Sequence, residues 1–442
     1  MAPSEQLADD PEFPAPDGAD PVVGPSKPRL LGILGPGLIT GASDDDPSGI
    51  ATYSQAGAQL GFNSLWLMLF SYPLMAVTQE ISARIGRTTG RGLAGNLRRH
   101  YAPWVATTCI ALLLIANVIN LGADLGAMGD VAATLIGGPH TIYVIAFGIL
   151  CLAMQVLIQY TRYVSILKWA ALVLFAYFGT MLMVHIPWDE VAWGLLIPTL
   201  DTSKDFISIV VAILGTTISP YLFFWQSSQE AEDQREQPQR DPLVRAPEQA
   251  PNAFARIRLD TYFGMAFSNL VALAIIITAA ATLHTKGTTD VQTAQQAAEA
   301  LKPVAGDLAF LVFALGIIGT GFLAVPVLAG SAAYAIGEAL RWPVGLARKP
   351  KEAGAFYITL IVATVLGTIV NFLPIDPIRA LYWSAVINGV MVAPIIAMMM
   401  LLASSRRVMG DFTVSLPLKL IGWLAAVVMG FCVVGLFVTM LP

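Results

Sequence analysis

Three consecutive aspartates lie inside an apolar segment near the start of this 442-residue chain. They stand in the run Asp44-Asp-Asp-Pro-Ser-Gly49, between the apolar half-segments 31–42 and 50–60. A carboxylate at membrane depth costs several kcal/mol unless a partner neutralises it. Pro47 lacks a backbone donor and Gly49 tolerates unusual dihedral angles, so we expect the helix to open here and free peptide carbonyls. Acids beside free carbonyls in mid-membrane indicate a cation site.

A second apolar segment is interrupted in a similar way. Residues 213–225 carry Ser219 and Pro220 in the middle of a hydrophobic stretch. Transporters built from inverted repeats often have a discontinuous first helix in each repeat, and the substrate site forms where the two breaks face each other. Taking spans one to five and six to ten as repeats puts Asp46 and Ser219 at corresponding places. The competing interpretation is that Pro220 only kinks an ordinary membrane helix.

The composition is that of a polytopic membrane protein. Hydrophobic residues make up 56% of the chain and charged residues only 12%, with a mean hydropathy of +0.67. Apolar runs of roughly 20 residues, the length that crosses a hydrocarbon layer, recur along the sequence. We predict an all-α membrane protein, with the lipid bilayer as a partner. Its eleven spans, the first broken, are centred near Asp46, Tyr72, Ile115, Ile149, Phe175, Ser219, Leu270, Gly319, Val362, Val392 and Val428.

The basic residues predict the orientation of these spans. With the N-terminus in the cytoplasm, all but four of the 25 lysines and arginines fall on the inner side, as the positive-inside rule requires. We therefore expect a multi-pass protein of the cell membrane with a cytoplasmic N-terminus and an extracytoplasmic C-terminus. The four exceptions are Lys204, Lys286, Lys302 and Arg379.

The chain divides into a tail, two repeats and a last span. We expect residues 1–30 to form a disordered, acidic, Pro-rich cytoplasmic tail. The first repeat, spans 1–5, takes residues 31–185, and the second, spans 6–10, takes 205–403; span 11 follows at 415–440. A mobile, solvated cytoplasmic loop is predicted at 229–256, and its balanced charges argue against nucleic-acid binding. The three cysteines lie in apolar runs without metal-type spacing.

Several motifs resemble those of the Nramp family of divalent-metal transporters. The run from Gly35 to Gly49 is similar to the family's first-span signature, in which Gly-Pro-Gly precedes Asp-Pro-Gly-Asn. The resemblance implies a LeuT-type fold of the APC superfamily: two inverted five-helix repeats plus an eleventh helix, with spans 1 and 6 discontinuous. It also implies alternating access with a metal held between those two spans. Further matches are Gln55-Ala-Gly57, Gln79-Glu80, Ala83-Arg-Ile-Gly86, Ala123-Asp-Leu-Gly126 and Arg258-Leu-Asp-Thr261.

The family's metal ligands transfer only in part. Asp46 matches the metal-binding aspartate, but Gly49 stands where the family has an asparagine ligand. In the sixth span Thr216 takes the position of a backbone-carbonyl ligand. Ser219 replaces the family's methionine ligand. Asp45 is a candidate second ligand for a hydrated ion, while Asp44 and Asp45 could instead form a cation-concentrating vestibule, or one of them could cap the second half-helix.

The residues that the resemblance connects with proton movement are also altered. Tyr221 and Gln226 stand in place of two histidines, and Ala127 replaces a third-span glutamate, whereas Asp124 is retained. For Asp124 a role in ion or proton movement competes with a structural hydrogen bond. Asn388 lies near a family position that borders the site.

These substitutions favour a hard cation. Methionine favours softer ions, whereas carboxylate, carbonyl, hydroxyl and water suit Mg²⁺ and Mn²⁺. Magnesium usually keeps several waters, so a pocket with fewer side-chain ligands could pass a partly hydrated ion. The sequence is therefore closest in type to the Nramp-related magnesium transporters. We expect uptake of Mg²⁺, with Mn²⁺ as a second substrate, driven by the membrane potential without proton coupling. No cofactor is expected, and the oligomeric state stays open, a monomer included.

Three other functions compete with this one. A protein that keeps the fold but has lost metal transport could carry another cationic solute or act as a sensor. A proton-coupled importer of Mn²⁺ or Fe²⁺ is the second. An amino-acid carrier of the same fold is disfavoured, because three aspartates would repel a substrate carboxylate. An enzyme is not expected, since the sequence shows no pairing of nucleophile and base and no metal-ligand triad.

Overall fold

A computed structural model of the chain describes residues 36–158, 171–201, 203–235, 240–289, 291, 293–373 and 377–440. All regular elements in these ranges are helical, and short 3-10 turns occur at Gly61–Ser64, Ala171–Leu174, Pro247–Gln249 and His284–Lys286. The α-helices are α1 Pro36–Asp44, α2 Pro47–Leu60, α3 Trp66–Thr89, α4 Leu93–His100, α5 Pro103–Ile136, α6 His140–Leu157, α7 Phe175–Leu182, α8 Trp188–Leu196, α9 Lys204–Thr217, α10 Pro220–Arg235, α11 Ala250–Thr282, α12 Ala294–Leu340, α13 Gly354–Val370, α14 Pro377–Ser404, α15 Arg406–Met409 and α16 Leu416–Met440.

Both predicted breaks are present. Asp46 is extended, with φ −68° and ψ 165°, and Pro47 starts α2 where its missing N–H costs nothing. At the second break Ile218 leaves the helical region, with φ −119° and ψ 69°, and Pro220 starts α10. The eleven predicted span centres all fall in a helix or in one of these two breaks.

Seven helices in the described ranges are long and apolar enough to cross a membrane, and a bent pair, Pro47–Ser64 with Trp66–Thr89, raises the number to eight. The shorter apolar helix α13 and the half-helix α1 supply further parts of the predicted set. The chain is therefore a multi-pass membrane protein. Residues 1–30, the predicted tail, lie outside the described residues.

The broken segment α1–α2 is enclosed by other helices. Both halves pack along α11, and α2 also contacts α5, α9 and α12. Glycines permit the close approach of α1 to α11: a carbon added at Gly41 would lie 2.2 Å from the Gly264 carbonyl oxygen, and one added at Gly264 would lie 2.3 Å from that of Gly37. Small residues spaced four apart on α1 thus let two membrane helices touch through their backbones.

The inner loop differs from the solvated connector predicted at 229–256. Helix α10 continues to Arg235, and α11 begins at Ala250, so helices cover both ends of that range. Glu230, which is fully buried, pairs with Arg256. Arg87 donates to the Asp241 carbonyl over 2.5 Å. Glu230 and Arg256, which the sequence assigned to a solvated loop, instead join α10 to α11.

Candidate functional site

The first break is organised by the carboxylate of Asp46. Its Oδ1 accepts the backbone N–H of Gly49 over 2.6 Å and the hydroxyl of Ser48 over 2.7 Å. Asp46 is therefore the N-cap of α2, the role that the sequence left open for Asp44 or Asp45. This arrangement holds the carboxylate at the positive end of the α2 dipole, where negative charge is stabilised.

Asp124 on α5 reaches the same break. Its Oδ1 accepts the backbone N–H of Ser48 over 3.3 Å, and its Oδ2 is buried with no hydrogen-bond partner in the described part of the chain. Ser48 thus contacts two carboxylates, Asp46 through its hydroxyl and Asp124 through its amide. A third-span acid and the first break belong to one cluster.

The other two aspartates are more deeply enclosed. The Ser268 hydroxyl on α11 donates to Asp44 Oδ2 over 3.0 Å, while Asp44 Oδ1 has no partner. Neither carboxylate oxygen of Asp45 accepts a hydrogen bond from a residue in the described ranges. Both residues are at most 1% exposed, so in this arrangement they do not line an open vestibule.

The second break lies against the first. A carbon added at Gly49 would sit 3.0 Å from Thr216 Cγ2 and 3.2 Å from Asp46 Oδ1, which brings these three predicted site residues into contact. The Ser219 hydroxyl donates to the Thr216 carbonyl over 2.8 Å and, at 3.4 Å, to that of Gly215. Each carbonyl has two lone pairs, so the Thr216 oxygen keeps one free for a further ligand.

The ionisable side chains at the two breaks are acidic. Asp44, Asp45, Asp46 and Asp124 are 0–4% exposed, and within the described residues none of them forms an ion pair. Four carboxylates are thus buried without a basic partner. They do not converge on one point, however, since the described ranges contain no group of three or more His, Cys, Asp or Glu that could hold a metal ion. An ion here would need carbonyl, hydroxyl and water oxygens in addition to Asp46.

Three further predicted residues lie around the breaks. The Tyr221 hydroxyl donates to the Ser43 carbonyl over 2.9 Å, which ties α10 to the end of α1. Gln226, one turn further along α10, donates to Thr261 on α11 over 2.8 Å. Asn388 on α14 is 7% exposed, and its Oδ1 has no hydrogen-bond partner among the residues that the structure describes. No described hydrogen bond joins Asn388 to either break.

The two sides of the first break differ in accessibility. Every residue of α1 is buried, whereas Ser48 and Thr52 on α2 are partly exposed. These two residues lie on a helix that packs against α5, α9, α11 and α12. On the buried side Asp260 of α11 accepts the amides of Gly37 and Leu38 over 2.7 and 3.2 Å. A carboxylate thus fixes the start of α1, as helix N-termini favour.

Three residues that form hydrogen bonds at the first break were not predicted as site residues from the sequence. Ser48, Ser268 and Asp260 each bond to the broken segment, and the last two lie more than 200 residues from their partners. Ser48 carried a local signal, because hydroxyl residues near an N-cap commonly bond to it. The other two sit in an apolar helix whose register against α1 is a tertiary property.

Solved structures share this arrangement of helices. The manganese transporter of Eremococcus coleocola, in complex with an aromatic bis-isothiourea substituted compound, is 17% identical over 91% of this chain and 85% of its own, with a TM-score of 0.75. Mhp1, a nucleobase-cation-symport-1 family transporter in a closed conformation with bromovinylhydantoin bound, is 14% identical over 92% of both chains, with a TM-score of 0.51. These likenesses show the fold.

The fold and its two paired breaks define an all-α membrane protein of the LeuT type, as the sequence predicted. The family model described as "Natural resistance-associated macrophage protein-like" matches residues 37–439, nearly the whole chain. The protein belongs to the Nramp family.

Proposed function

We propose that this protein transports a divalent cation by alternating access, with Mg²⁺ as the main substrate and Mn²⁺ as a second one. The main support for this proposal is the set of four buried carboxylates at the first break, none of which forms an ion pair among the described residues. Burying an ionised carboxylate without a counter-charge is costly. A cation bound against Asp46 would offset that cost, and membership of the Nramp family supports a transporter rather than an enzyme.

The donor set supports a hard, partly hydrated ion. Asp46, the Thr216 carbonyl and the Ser219 hydroxyl offer oxygen only, and Gly49 adds no side-chain ligand beside them. Oxygen ligands suit Mg²⁺ and Mn²⁺, and Mg²⁺ commonly retains waters. The partly exposed Ser48 and Thr52 offer a polar approach for such an ion.

The neighbourhood of the breaks supports uptake without proton coupling. Tyr221 donates a hydrogen bond to the Ser43 carbonyl, and Gln226 donates one to the Thr261 hydroxyl. Neither side chain exchanges protons near neutral pH. A divalent cation gains about 4.6 kcal/mol per 100 mV of inside-negative potential, which suffices to drive accumulation. Asp124 is the remaining candidate for a proton carrier.

A proton-coupled transition-metal importer is the second candidate. The observation in its favour is Asp124, whose carboxylate contacts the first break through Ser48 and leaves Oδ2 without a partner. The structurally similar Eremococcus coleocola protein is a manganese transporter.

Uptake by the purified protein in liposomes separates these functions. Mg²⁺, Mn²⁺ and Ca²⁺ are offered in parallel while internal pH is recorded, for the wild type and for Asp46→Ala. We expect Mg²⁺ entry without acidification, lost in the variant. Absence of divalent flux under every imposed potential contradicts transport, and acidification that accompanies metal entry contradicts the uncoupled mechanism. Unchanged flux in Asp46→Ala would mean that the transported ion does not bind at Asp46.

A further inference from the structure

A cavity of about 700 Å³ lies at the end of the helix bundle that the basic residues predict to be cytoplasmic. Four parts of the chain form it: the turn after α3, the helix α4, the end of α10, and the end of α12 with the loop that follows. This cavity is separate from the cation site, and no residue of the two breaks lines it. Its arginines are Arg91, Arg98, Arg99, Arg235, Arg341 and Arg348.

The charge of this arginine cavity is strongly positive. Six arginines line it, and Glu338 is the one acid among the described residues that line it. Guanidinium groups stay ionised at all physiological pH values. Glu338 already accepts hydrogen bonds from the Ser228 hydroxyl, at 2.7 Å, and from the Gly95 amide, at 3.0 Å. Its carboxylate fixes the start of α4 against α12 and also attracts Arg235.

We propose that the arginine cavity binds a phosphate-bearing anion. The planar guanidinium fork matches phosphate oxygens through two parallel hydrogen bonds, and arginines from several directions can surround one phosphate. Basic pockets between membrane helices on the cytoplasmic side bind acidic lipid headgroups in this way. Trp342, 36% exposed at the cavity, supplies an amphipathic wall of the kind found at headgroup depth.

The ligand would connect elements that also position the cation site. Arg235 ends α10, which starts at the second break, and Arg341 follows α12, which packs against α1 and α2. Arg98 and Arg99 belong to α4, between the second and third spans. A phosphate bound by the arginines of α4, of the end of α10 and of the segment after α12 would stabilise the present arrangement of these three helices.

The test uses the full-length purified protein in neutral detergent. One arm titrates dioleoyl-phosphatidylglycerol against dioleoyl-phosphatidylcholine and counts bound lipids by native mass spectrometry. The other arm titrates pyrophosphate and follows thermal unfolding. The cavity variant is Arg98→Gln/Arg341→Gln. The matched control is Arg406→Gln/Arg407→Gln, which removes the same charge from exposed arginines on α15, outside the cavity.

We expect one saturable site whose affinity falls by about tenfold or more in the cavity variant and by less than about twofold in the control. Saturation by phosphatidylglycerol identifies a lipid headgroup as the source of the phosphate, and saturation by pyrophosphate alone identifies a soluble one. The single variant Arg348→Gln, on the loop, replaces the double variant if the latter does not fold. Absence of saturable binding by either probe, or equal weakening in the cavity and control variants, overturns the proposal.

Discussion

Gly49 sets the space beside Asp46, and refilling that space should change ion preference. A carbon added there would lie 3.0 Å from Thr216 Cγ2, whereas ordinary contacts begin at 3.4 Å. Gly49→Asn alone therefore overpacks the site, at a cost of about 1–3 kcal/mol. Thr216→Ala removes the nearer obstruction, a methyl group, and keeps the backbone carbonyl, so Gly49→Asn/Thr216→Ala should accept the amide with less strain, Asp46 Oδ1 at 3.2 Å then being the nearest atom.

Adding Ser219→Met supplies a thioether to the same site. With an amide oxygen and a sulfur as new ligands, we expect the Mn²⁺ preference over Mg²⁺ to rise at least about tenfold, equivalent to ~1.4 kcal/mol. Isothermal titration calorimetry of the purified triple variant with each ion measures the ratio.

The matched control is Gly49→Ala/Thr216→Ala, which changes the packing beside Asp46 without adding a ligand and keeps the Ser219 hydroxyl. Its ion preference should stay at the wild-type value. If the ligand-restoring variant also keeps the wild-type preference, Gly49 and Ser219 do not determine selectivity, and the argument for a hard-ion site from these residues is wrong.

Gly41→Ala should loosen α1, because the added carbon would lie 2.2 Å from the Gly264 carbonyl oxygen. Hydrogen exchange of residues 36–44 should therefore accelerate. The control Gly430→Ala, at a position with open space around it, should leave the exchange rates of these residues unchanged. Normal protection in Gly41→Ala would contradict the close contact between α1 and α11. Arg256→Met should lower the free energy of unfolding by about 3–5 kcal/mol, because it leaves the buried Glu230 unpaired. Thermal unfolding in detergent measures this loss, and Glu230→Gln/Arg256→Met should recover most of it; no recovery would mean that Arg256 acts through packing.

The sequence predicted the architecture because its signals are local. Pro47 and Pro220 each lie in the middle of an apolar run, and both begin a helix after a non-helical residue. Their separation by five spans indicated the repeat, and apolar length alone located the span centres. Local spacing also accounts for the ion pair of Glu80 with Arg84, four residues apart on α3, at 2.6 Å.

The contacts of the site were less accessible to sequence reasoning. The bonds of Asp260 to α1 and of Ser268 to Asp44 join residues more than 220 positions apart, and one sequence carries no signal of that register. The sequence also does not show which of the three adjacent aspartates is the N-cap of α2, since each has the same side chain. The buried charges of 229–256 looked solvated because their partners, such as Tyr334 for Glu232, lie on another helix.

Potential-driven Mg²⁺ uptake at equal pH on both sides tests the central claim most directly. Asp46→Asn keeps an N-cap for α2 but removes the charge, so it should fold and lose uptake. Asp189→Asn makes the same change at an exposed position on α8 and should transport normally. We predict Mg²⁺ influx that grows with inside-negative potential in the wild type and in Asp189→Asn, and none in Asp46→Asn. Equal influx in all three proteins would contradict a cation site at the first break.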